Sequence, residues 1–292
     1  MGWTTWILAS AFFLAVYDVF KKTSVRDNAV LPVLTIATLA GAIAYIGGLA
    51  AFGDLASSFA AEPKTLLLGA AKSVIVGTSW ILTYNALRTL PVTIASPIRS
   101  SAPALVILVA FFLYGERPSA CQWLGMTLVF IGFFAFSWAG KAEGIDFLHS
   151  RAVWSAAGGM VLSAVSALFD KYVFQIACAP IEPVQFYFQV FLFVFYSLLL
   201  IVVNLKEGEK RRRFDWRWTI PFTGITLAGA DWLYFHGLAI PDAPISVAAL
   251  LRRFSVALTF IAGAVFFKET NLRRKLIALI LLLVGTAILC LG

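Results

Sequence analysis

Charged residues, cysteines and histidines are all scarce in this chain of 292 residues. Charged side chains make up 13% of the sequence, about half the share found in soluble domains, which excludes an ordinary water-soluble protein. Cys121, Cys178 and Cys290 have neither disulfide nor metal-ligand spacing. The histidines are His149 and His236, and no HExxH or GxSxG motif occurs. The sequence therefore lacks the parts of a metal or serine enzyme, and we expect no enzyme activity, metal or cofactor.

Long apolar runs are abundant instead. Hydrophobic residues make up 61% of the chain, and its mean hydropathy is +0.88. A helix crosses a bilayer with about 20 mostly apolar residues, and ten such runs are present, at 3–20, 30–52, 65–87, 91–113, 120–138, 153–172, 182–204, 217–239, 244–267 and 274–291. The first has no basic n-region or A-x-A-like cleavage site, so we interpret it as a span. The sequence predicts an all-α polytopic membrane protein with ten transmembrane helices.

The net charge of +8 is distributed as a topology signal. With ten spans, sixteen lysines and arginines fall on one predicted side, including the cluster 210–213, and three fall on the other, namely Lys64, Arg117 and Lys171. An excess of Lys and Arg marks the cytoplasmic side. We therefore predict that both termini are non-cytoplasmic, and we read the basic residues as topology signals with no nucleic-acid partner.

The two halves of the chain repeat one pattern. Residues 13–22 match residues 162–171 at a constant offset of 149, and residues 91–116 match residues 244–269 at an offset of 153. The paired residues are Ala15, Val16, Phe20 and Lys22 with Ala164, Val165, Phe169 and Lys171, then Pro91, Ala95, Arg99 and Glu116 with Pro244, Ala248, Arg252 and Glu269. Because five spans is an odd number, residues 1–140 and 141–292 are predicted to be five-helix repeats of opposite orientation. Inverted repeats are typical of secondary transporters, which bind substrate near the midplane.

The stretch SWILTYNALRTLPVTIASPIRSSAPALVILVAFFLYGE, continuing to residue 137, resembles the repeat of the EamA-type, ten-helix members of the drug/metabolite transporter superfamily. The resemblance rests on Trp80, Tyr84, Ala86, Leu87, Pro91, Pro97, Gly115, Glu116 and Gly125. The second half departs from it in one place, with Lys268-Glu269 where the family usually has Gly-Glu. The resemblance implies the fold, whereas the substrate stays open because the family moves amino acids, sugars, nucleotide sugars, phosphates and drugs. Many members are described with cytoplasmic termini, but we follow the charge count.

Two arginines occupy matching depths in the apolar runs. Arg99 lies eight residues past Pro91, and Arg252 eight residues past Pro244, so each is about 12 Å deep at about 1.5 Å per residue. A charge at the bilayer centre costs roughly 2.5–3.5 kcal/mol and needs a partner or a hydrated cavity. A guanidinium binds carboxylate or phosphate through two hydrogen bonds. We hypothesise that Arg99 and Arg252, with Lys72, bind an anionic group; the alternative is that they form internal ion pairs.

Further charged residues are candidates for gating or coupling. These are Asp18, Asp170, Lys171, His236 and Arg253, the last about 100° around the helix from Arg252. Lys72 and Asp231 lie at similar depth from one membrane face, so we hypothesise that they form a bridge that exchanges partners during transport. Coupling to a proton or to a counter-substrate stays open.

Aromatic residues accompany these charges. Trp80 and Tyr84 are four residues apart on one helix, and Trp232 and His236 repeat that spacing in the second half. Such rings can hold an apolar or cationic group, or they can simply pack. We count Trp80, Tyr84, Asp231 and Trp232 with Lys72, Arg99 and Arg252 as candidate substrate-binding residues.

A secondary transporter of a small polar metabolite is the function these patterns favour. The interior charges, counted from sequence, leave a surplus of one positive charge, which favours an organic anion. An amino acid or an aromatic or cationic drug is the alternative. A channel would need a continuous polar pore or rings of like charge, and a receptor or scaffold would not need paired buried arginines. We expect a monomer or homodimer in the bilayer, in a bacterial inner membrane.

Overall fold

The computed structural model describes residues 2–52, 55–59, 61–91, 148–173, 177–207, 213–239, 245–266 and 272–291, and a scatter of residues between 94 and 135. Arg99 lies outside the described residues, and Lys171 and Arg253 are described by their backbone alone. The expectations placed on these three side chains therefore stay predictions.

The described part of the chain is helical and contains no strand. Its helices are α1 (Trp3–Val25), α2 (Val30–Phe52), α3 (Leu55–Phe59), α4 (Pro63–Thr89), α5 (Arg151–Lys171), α6 (Ile181–Glu207), α7 (Thr219–Ala239), α8 (Ile245–Phe266) and α9 (Leu272–Leu291). Five of them, α1, α2, α4, α5 and α6, are long and apolar enough to cross a membrane. The predicted spans 91–113 and 120–138 are described only in part, and their described residues after Pro91 are helical.

Helix α1 continues beyond its predicted end. The apolar run ends at residue 20, but the helix continues to Val25 and takes Lys21 and Lys22 with it. We had counted both lysines, and Lys275, among the charges of one membrane side; Lys21 is 1% exposed, Lys22 8% and Lys275 0%. The boundary was wrong because hydropathy falls at a lysine whether or not the lysine is paired inside the protein. Here Lys21 bonds to Asp18 and Lys22 to the end of α4.

The helices pack as two groups that do not follow the order of the chain. In the first bundle, α1 packs on α7 and α8, α7 also packs on α2, and α8 packs on α9. In the second bundle, α4 packs on α5 and α6. Helix α2 of the first bundle also contacts α6 of the second. Helices from the two sequence halves are therefore interleaved within the first bundle, and likewise within the second.

The contact between α2 and α7 brings two backbones together. A methyl group at Gly224 would lie 1.7 Å from the carbonyl oxygen of Ala37, and one at Gly41 would lie 3.1 Å from the carbonyl oxygen of Gly224. Small residues allow helices in membranes to approach this closely. At the neighbouring contact between α1 and α7, the hydroxyl of Ser24 lies 2.8 Å from the hydroxyl of Thr219. The first bundle is therefore held both by close packing and by polar contacts.

Candidate functional site

An outer cavity of about 750 Å³ lies at the end of the protein where α2 and α7 end and α6 begins. We call this the open end, because its lining includes Phe52, the last residue of α2, which is 66% exposed. The lining is mostly apolar and comprises Ala44, Tyr45, Gly48, Leu49, Phe52, Ile181, Glu182, Ile225, Ala228, Gly229, Trp232 and His236. The cavity thus lies between α2 and α7 of the first bundle and α6 of the second.

Aromatic rings form one wall of the outer cavity. The ring of Trp232 stacks on Phe52 with centroids 5.6 Å apart and lies 4.2 Å from the ring of His236. Trp6 meets Trp232 edge-on at 5.6 Å. Offset and edge-on pairs at these separations are favourable beyond their burial of area. This ring cluster is a surface suited to an apolar or cationic group.

A smaller inner cavity, of about 10 Å³, lies deeper between the bundles. Its lining contains Tyr17, Leu34, Ala37, Thr38, Gly41, Thr223, Gly224 and Leu227 from the first bundle, and Trp80, Tyr84 and Gln189 from the second. A cavity of about this volume is just large enough for a single water molecule. Hydroxyl, amide and aromatic groups therefore converge at a constriction between the two bundles.

Beyond the constriction the opposite end is closed. The hydroxyls of Tyr17 and Tyr84 are 3.5 Å apart, and these side chains are 3% and 1% exposed. The ammonium of Lys22 donates to the carbonyl oxygens of Leu87 at 2.7 Å and Leu90 at 2.5 Å. Both contacts join α1 of the first bundle to α4, or the residue that caps it, in the second. We call this the closed end.

A buried ion pair supports the closed end. Lys21 lies 2.6 Å from the carboxylate of Asp18, and both side chains are almost fully buried. The second carboxylate oxygen accepts a hydrogen bond from Thr259 of α8 at 3.4 Å, and the ammonium lies 4.3 Å from the ring centroid of Tyr17. Asp18, a gating candidate from the sequence, is thus placed among groups of its own bundle.

Four further charged candidates form ion pairs inside the bundles. Lys72 of α4 lies 2.7 Å from Asp170 of α5, and Arg252 of α8 lies 2.5 Å from Asp231 of α7. The hypothesis of a Lys72–Asp231 bridge that exchanges partners during transport stays a prediction. Depth alone suggested that bridge, but α4 packs on α5 and α7 on α1 and α2, so each charge finds an acid or base on a helix of its own bundle.

The aromatic candidates divide between the cavities. Trp80 and Tyr84 line the inner cavity, whereas Trp232 and His236 line the outer one. His236 is exposed, and its Nδ1 lies 2.9 Å from the carbonyl oxygen of Trp232. The repeated four-residue spacing therefore places one aromatic pair in each cavity.

Sequence reasoning missed three polar residues on α6. Glu182 lines the outer cavity and Gln189 the inner one, and Gln185 lies between them, 1% exposed. Attention to charged and aromatic residues passed over the two glutamines. Their signal was present as polar residues three and then four positions apart in a run that is otherwise apolar, a spacing that puts them on one helix face.

The chain is similar to transporters of known family. A profile of the EamA-like transporter family matches residues 1–138 and 150–291. A probable 4-amino-4-deoxy-L-arabinose-phosphoundecaprenol flippase subunit ArnE from Yersinia pestis is 34% identical over 65 residues, 22% of this chain and 57% of the relative. The chain therefore spans little more than half the length of these curated relatives.

Two more relatives extend the comparison. An uncharacterised transporter in a cobO 3' region of Sinorhizobium sp. is 27% identical over 135 residues, 45% of this chain and 93% of that protein. One solved crystal structure superimposes with a TM-score of 0.67 at 17% identity, over 99% of this chain and 97% of the other. The names point to transport rather than to an enzyme. The chain belongs to the EamA-like transporter family, within the drug/metabolite transporter superfamily, and is an integral membrane protein.

Proposed function

We propose that the protein is a secondary transporter that carries a small polar metabolite across a bacterial inner membrane by alternating access between its two bundles. The observation that carries this proposal is the asymmetry of the two ends. A cavity of about 750 Å³ opens at one end, while Tyr17, Tyr84 and Lys22 join the bundles at the other. Alternating access requires such a conformation and a second one with the ends exchanged.

The proposed second conformation follows from an inverted repeat of residues 1–140 and 141–292. Ser10 of α1 donates to the carbonyl oxygen of Ala230 on α7 at 2.6 Å, and Ser79 of α4 donates to the carbonyl oxygen of Gly159 on α5 at 2.7 Å. Ser10 corresponds to Gly159 at the offset of 149, and Ser79 falls two residues from Ala230 at the offset of 153. The first long helix of each half thus packs on the third long helix of the other half, and the two serine bonds lie at similar positions in these contacts. The Sinorhizobium relative, 93% of which is matched by 45% of this chain, also supports a half-length unit.

The closed end is proposed to face the cytoplasm. Arg26, Arg88, Arg151 and Arg217 lie at or next to helix ends on this side, and an excess of such residues marks the cytoplasmic side. The excess of lysines and arginines on this side remains when the buried Lys21, Lys22 and Lys275 are left out of the count. The outer cavity would then open away from the cytoplasm, with both termini on the same side as the cavity.

The geometry favours a substrate that carries an amino group. The organic anion was favoured by a surplus of positive charge, but Lys72 and Arg252 have carboxylate partners. Among the described lining residues of the outer cavity, Glu182 is the one carboxylate, and none is lysine or arginine. An aromatic wall with one acid suits an organic amine, including an amino acid. The cargo named for the ArnE relatives is also an amino compound.

An organic anion is the second candidate, on one specific observation. The Nε of Arg252 is buried and has no hydrogen-bond acceptor in the described part of the structure, although Nη2 is paired with Asp231. The guanidinium also lies 4.1 Å from the ring centroid of Tyr234. A carboxylate that accepted from Nε would satisfy this donor.

Transport into proteoliposomes tests both candidates. Matched amines, amino acids, carboxylates and phosphates are offered to the wild type and to Arg252→Gln, whose folding is checked by thermal unfolding. We expect uptake of amines or amino acids, with uptake retained in Arg252→Gln. Uptake of carboxylates alone, abolished in a folded Arg252→Gln, would instead support the anion.

Cysteine labelling tests alternating access itself. Cys121 and Cys178, which are exposed, and Cys290 are first replaced by serine, and Ala228→Cys is introduced in the outer cavity. A transported substrate should change the labelling rate of this cysteine by an impermeant maleimide. A rate unaffected by every transported compound would contradict the proposed mechanism.

A further inference from the structure

A line of three polar side chains follows one face of α6 from the outer cavity to the inner one. Glu182 and Gln189 line the two cavities, and they are about 10 Å apart along the axis at about 1.5 Å per residue. Gln185 comes three residues after Glu182 and four before Gln189, so it lies on the same face between them. The line therefore spans the depth that separates the two cavities.

Gln185 carries an unsatisfied acceptor at the middle of this line. The residue is 1% exposed, and its Oε1 has no hydrogen-bond partner in the described part of the chain. A buried acceptor without a donor costs about 1–3 kcal/mol, so native proteins almost always pair such groups. A transported molecule that passes from one cavity to the other with an N–H donor would supply the missing bond.

The groups around the outer cavity favour a positively charged N–H donor. Glu182 at the outer end is a carboxylate, and the described lining of the outer cavity offers no lysine or arginine against it. The rings of Trp232 and Phe52 stack beside the same cavity, and ring faces attract cations. An ammonium group has three N–H donors and no acceptor, which complements a carboxylate followed by amide oxygens.

We propose that Glu182, Gln185 and Gln189 form a recognition line for the primary ammonium group of an amphipathic organic amine. Glu182 binds the ammonium at the outer cavity, Gln185 accepts one of its hydrogen bonds, and Gln189 receives it at the constriction. The apolar part of the substrate lies against Tyr45, Trp232 and their neighbours. This inference rests on the proposed function and adds to it the substrate class and the residues that recognise it.

Three matched compounds test the recognition line: 2-phenylethylamine, its N,N,N-trimethyl derivative and 3-phenylpropionate. Binding to the purified full-length protein is measured as the concentration that gives half of the maximal thermal stabilisation. In the wild type we expect the primary amine to bind about tenfold more tightly than the trimethyl compound, which has no N–H to donate. The carboxylate should bind weakest.

The variants separate charge from hydrogen bonding. Glu182→Gln should weaken both amines about tenfold or more. Gln185→Leu should weaken the primary amine about tenfold and leave the trimethyl compound unchanged, because the trimethyl compound never used the acceptor. Asn204→Leu is the control, since Asn204 lies on the same helix near its far end and also has a buried oxygen without a hydrogen-bond partner in the described structure; it should leave all three affinities unchanged.

Three results would overturn the inference: no stabilisation by either amine, equal affinity for amine and carboxylate, or an equal loss for both amines in Gln185→Leu. Transport of the same compounds keeps this inference distinct from the proposed function. Amine-selective binding without any transport would contradict the transporter mechanism and leave the recognition line standing. Transport without amine selectivity would do the opposite.

Discussion

The ammonium of Lys22 lies 2.5 Å from the carbonyl oxygen of Leu90, so a side chain of α1 caps the end of α4. The last carbonyls of a helix have no partners within it and carry the negative end of its dipole, so a cation there is favourable. A second bond joins Lys22 to the carbonyl of Leu87 at 2.7 Å. Because these bonds connect the two bundles, they must break before the closed end can open.

Replacing Lys22 should loosen the closed end. In Lys22→Met both charge-assisted bonds are lost, each worth about 1.5–3 kcal/mol. A cysteine at Thr38, which lines the inner cavity, should then react at least about tenfold faster with an impermeant maleimide applied from the closed end. Labelling in inside-out vesicles measures this rate.

Arg26→Met provides the control for that prediction. Arg26 lies one turn further along, beyond the end of α1, and its side chain is 67% exposed, so its removal should leave the rate unchanged. Equal labelling rates in Lys22→Met and the parent protein would show that the cap does not hold the closed end.

Removing one member of the Asp18–Lys21 pair should destabilise the protein more than removing both. Lys21→Met removes the ammonium 2.6 Å from a buried carboxylate, and breaking a buried pair costs about 3–5 kcal/mol. The double variant Asp18→Asn/Lys21→Met removes both charges and should lose clearly less. Unfolding in detergent measures both; a double variant no more stable than the single would contradict the pairwise account.

Neutralising the Lys72–Asp170 pair should leave transport intact. The pair joins α4 to α5 inside the second bundle, so it need not break when the bundles move. The single variant Asp170→Asn should lose about 1–2 kcal/mol, because the Asp170 side chain is 32% exposed and water screens the pair. A folded Lys72→Met/Asp170→Leu variant that no longer transports would instead support Lys72 as a substrate ligand.

Gly224→Ala should disrupt the contact between α2 and α7. The added methyl group would lie 1.7 Å from the carbonyl oxygen of Ala37, a distance no rotamer change can relieve, so the two helices must separate. We expect a loss of folded protein in size-exclusion chromatography. Gly47→Ala on α2 is the control, since its methyl group would meet nothing within 4 Å, and it should fold normally.

The helical membrane fold could be predicted because a long apolar segment satisfies its backbone hydrogen bonds in a bilayer by forming a helix. The span 30–52 coincides with α2, and the described residues of the span 244–267 form α8. Boundaries failed where charge is buried, as at Lys21 and Lys22, because hydropathy assigns a lysine to water regardless of its partner. Pairing is a property of neighbouring helices, which a single sequence does not give.

The sequence pointed to some of the residues that line the two cavities and missed others. Trp232 and Tyr84 do line cavities, since aromatic residues beside buried polar groups are common at the interior of a bundle. The Lys72–Asp170 pair was not predicted, because depth in the membrane does not say which helices are adjacent. Gln185 was overlooked because an uncharged amide attracts notice only once its burial and its unsatisfied oxygen are known.

The contact between the hydroxyls of Tyr17 and Tyr84, at 3.5 Å, is long for a hydrogen bond between oxygens. Among the described contacts at the closed end, the bonds of Lys22 are therefore the stronger ones, and two conformations of one protein typically differ by a few kcal/mol. A molecule that prefers one conformation about 100-fold contributes about 2.7 kcal/mol, enough to invert their populations. A compound with equal affinity for both would occupy the protein without shifting this equilibrium, however tightly it bound, whereas a compound that greatly prefers one conformation would hold the protein in it and inhibit transport.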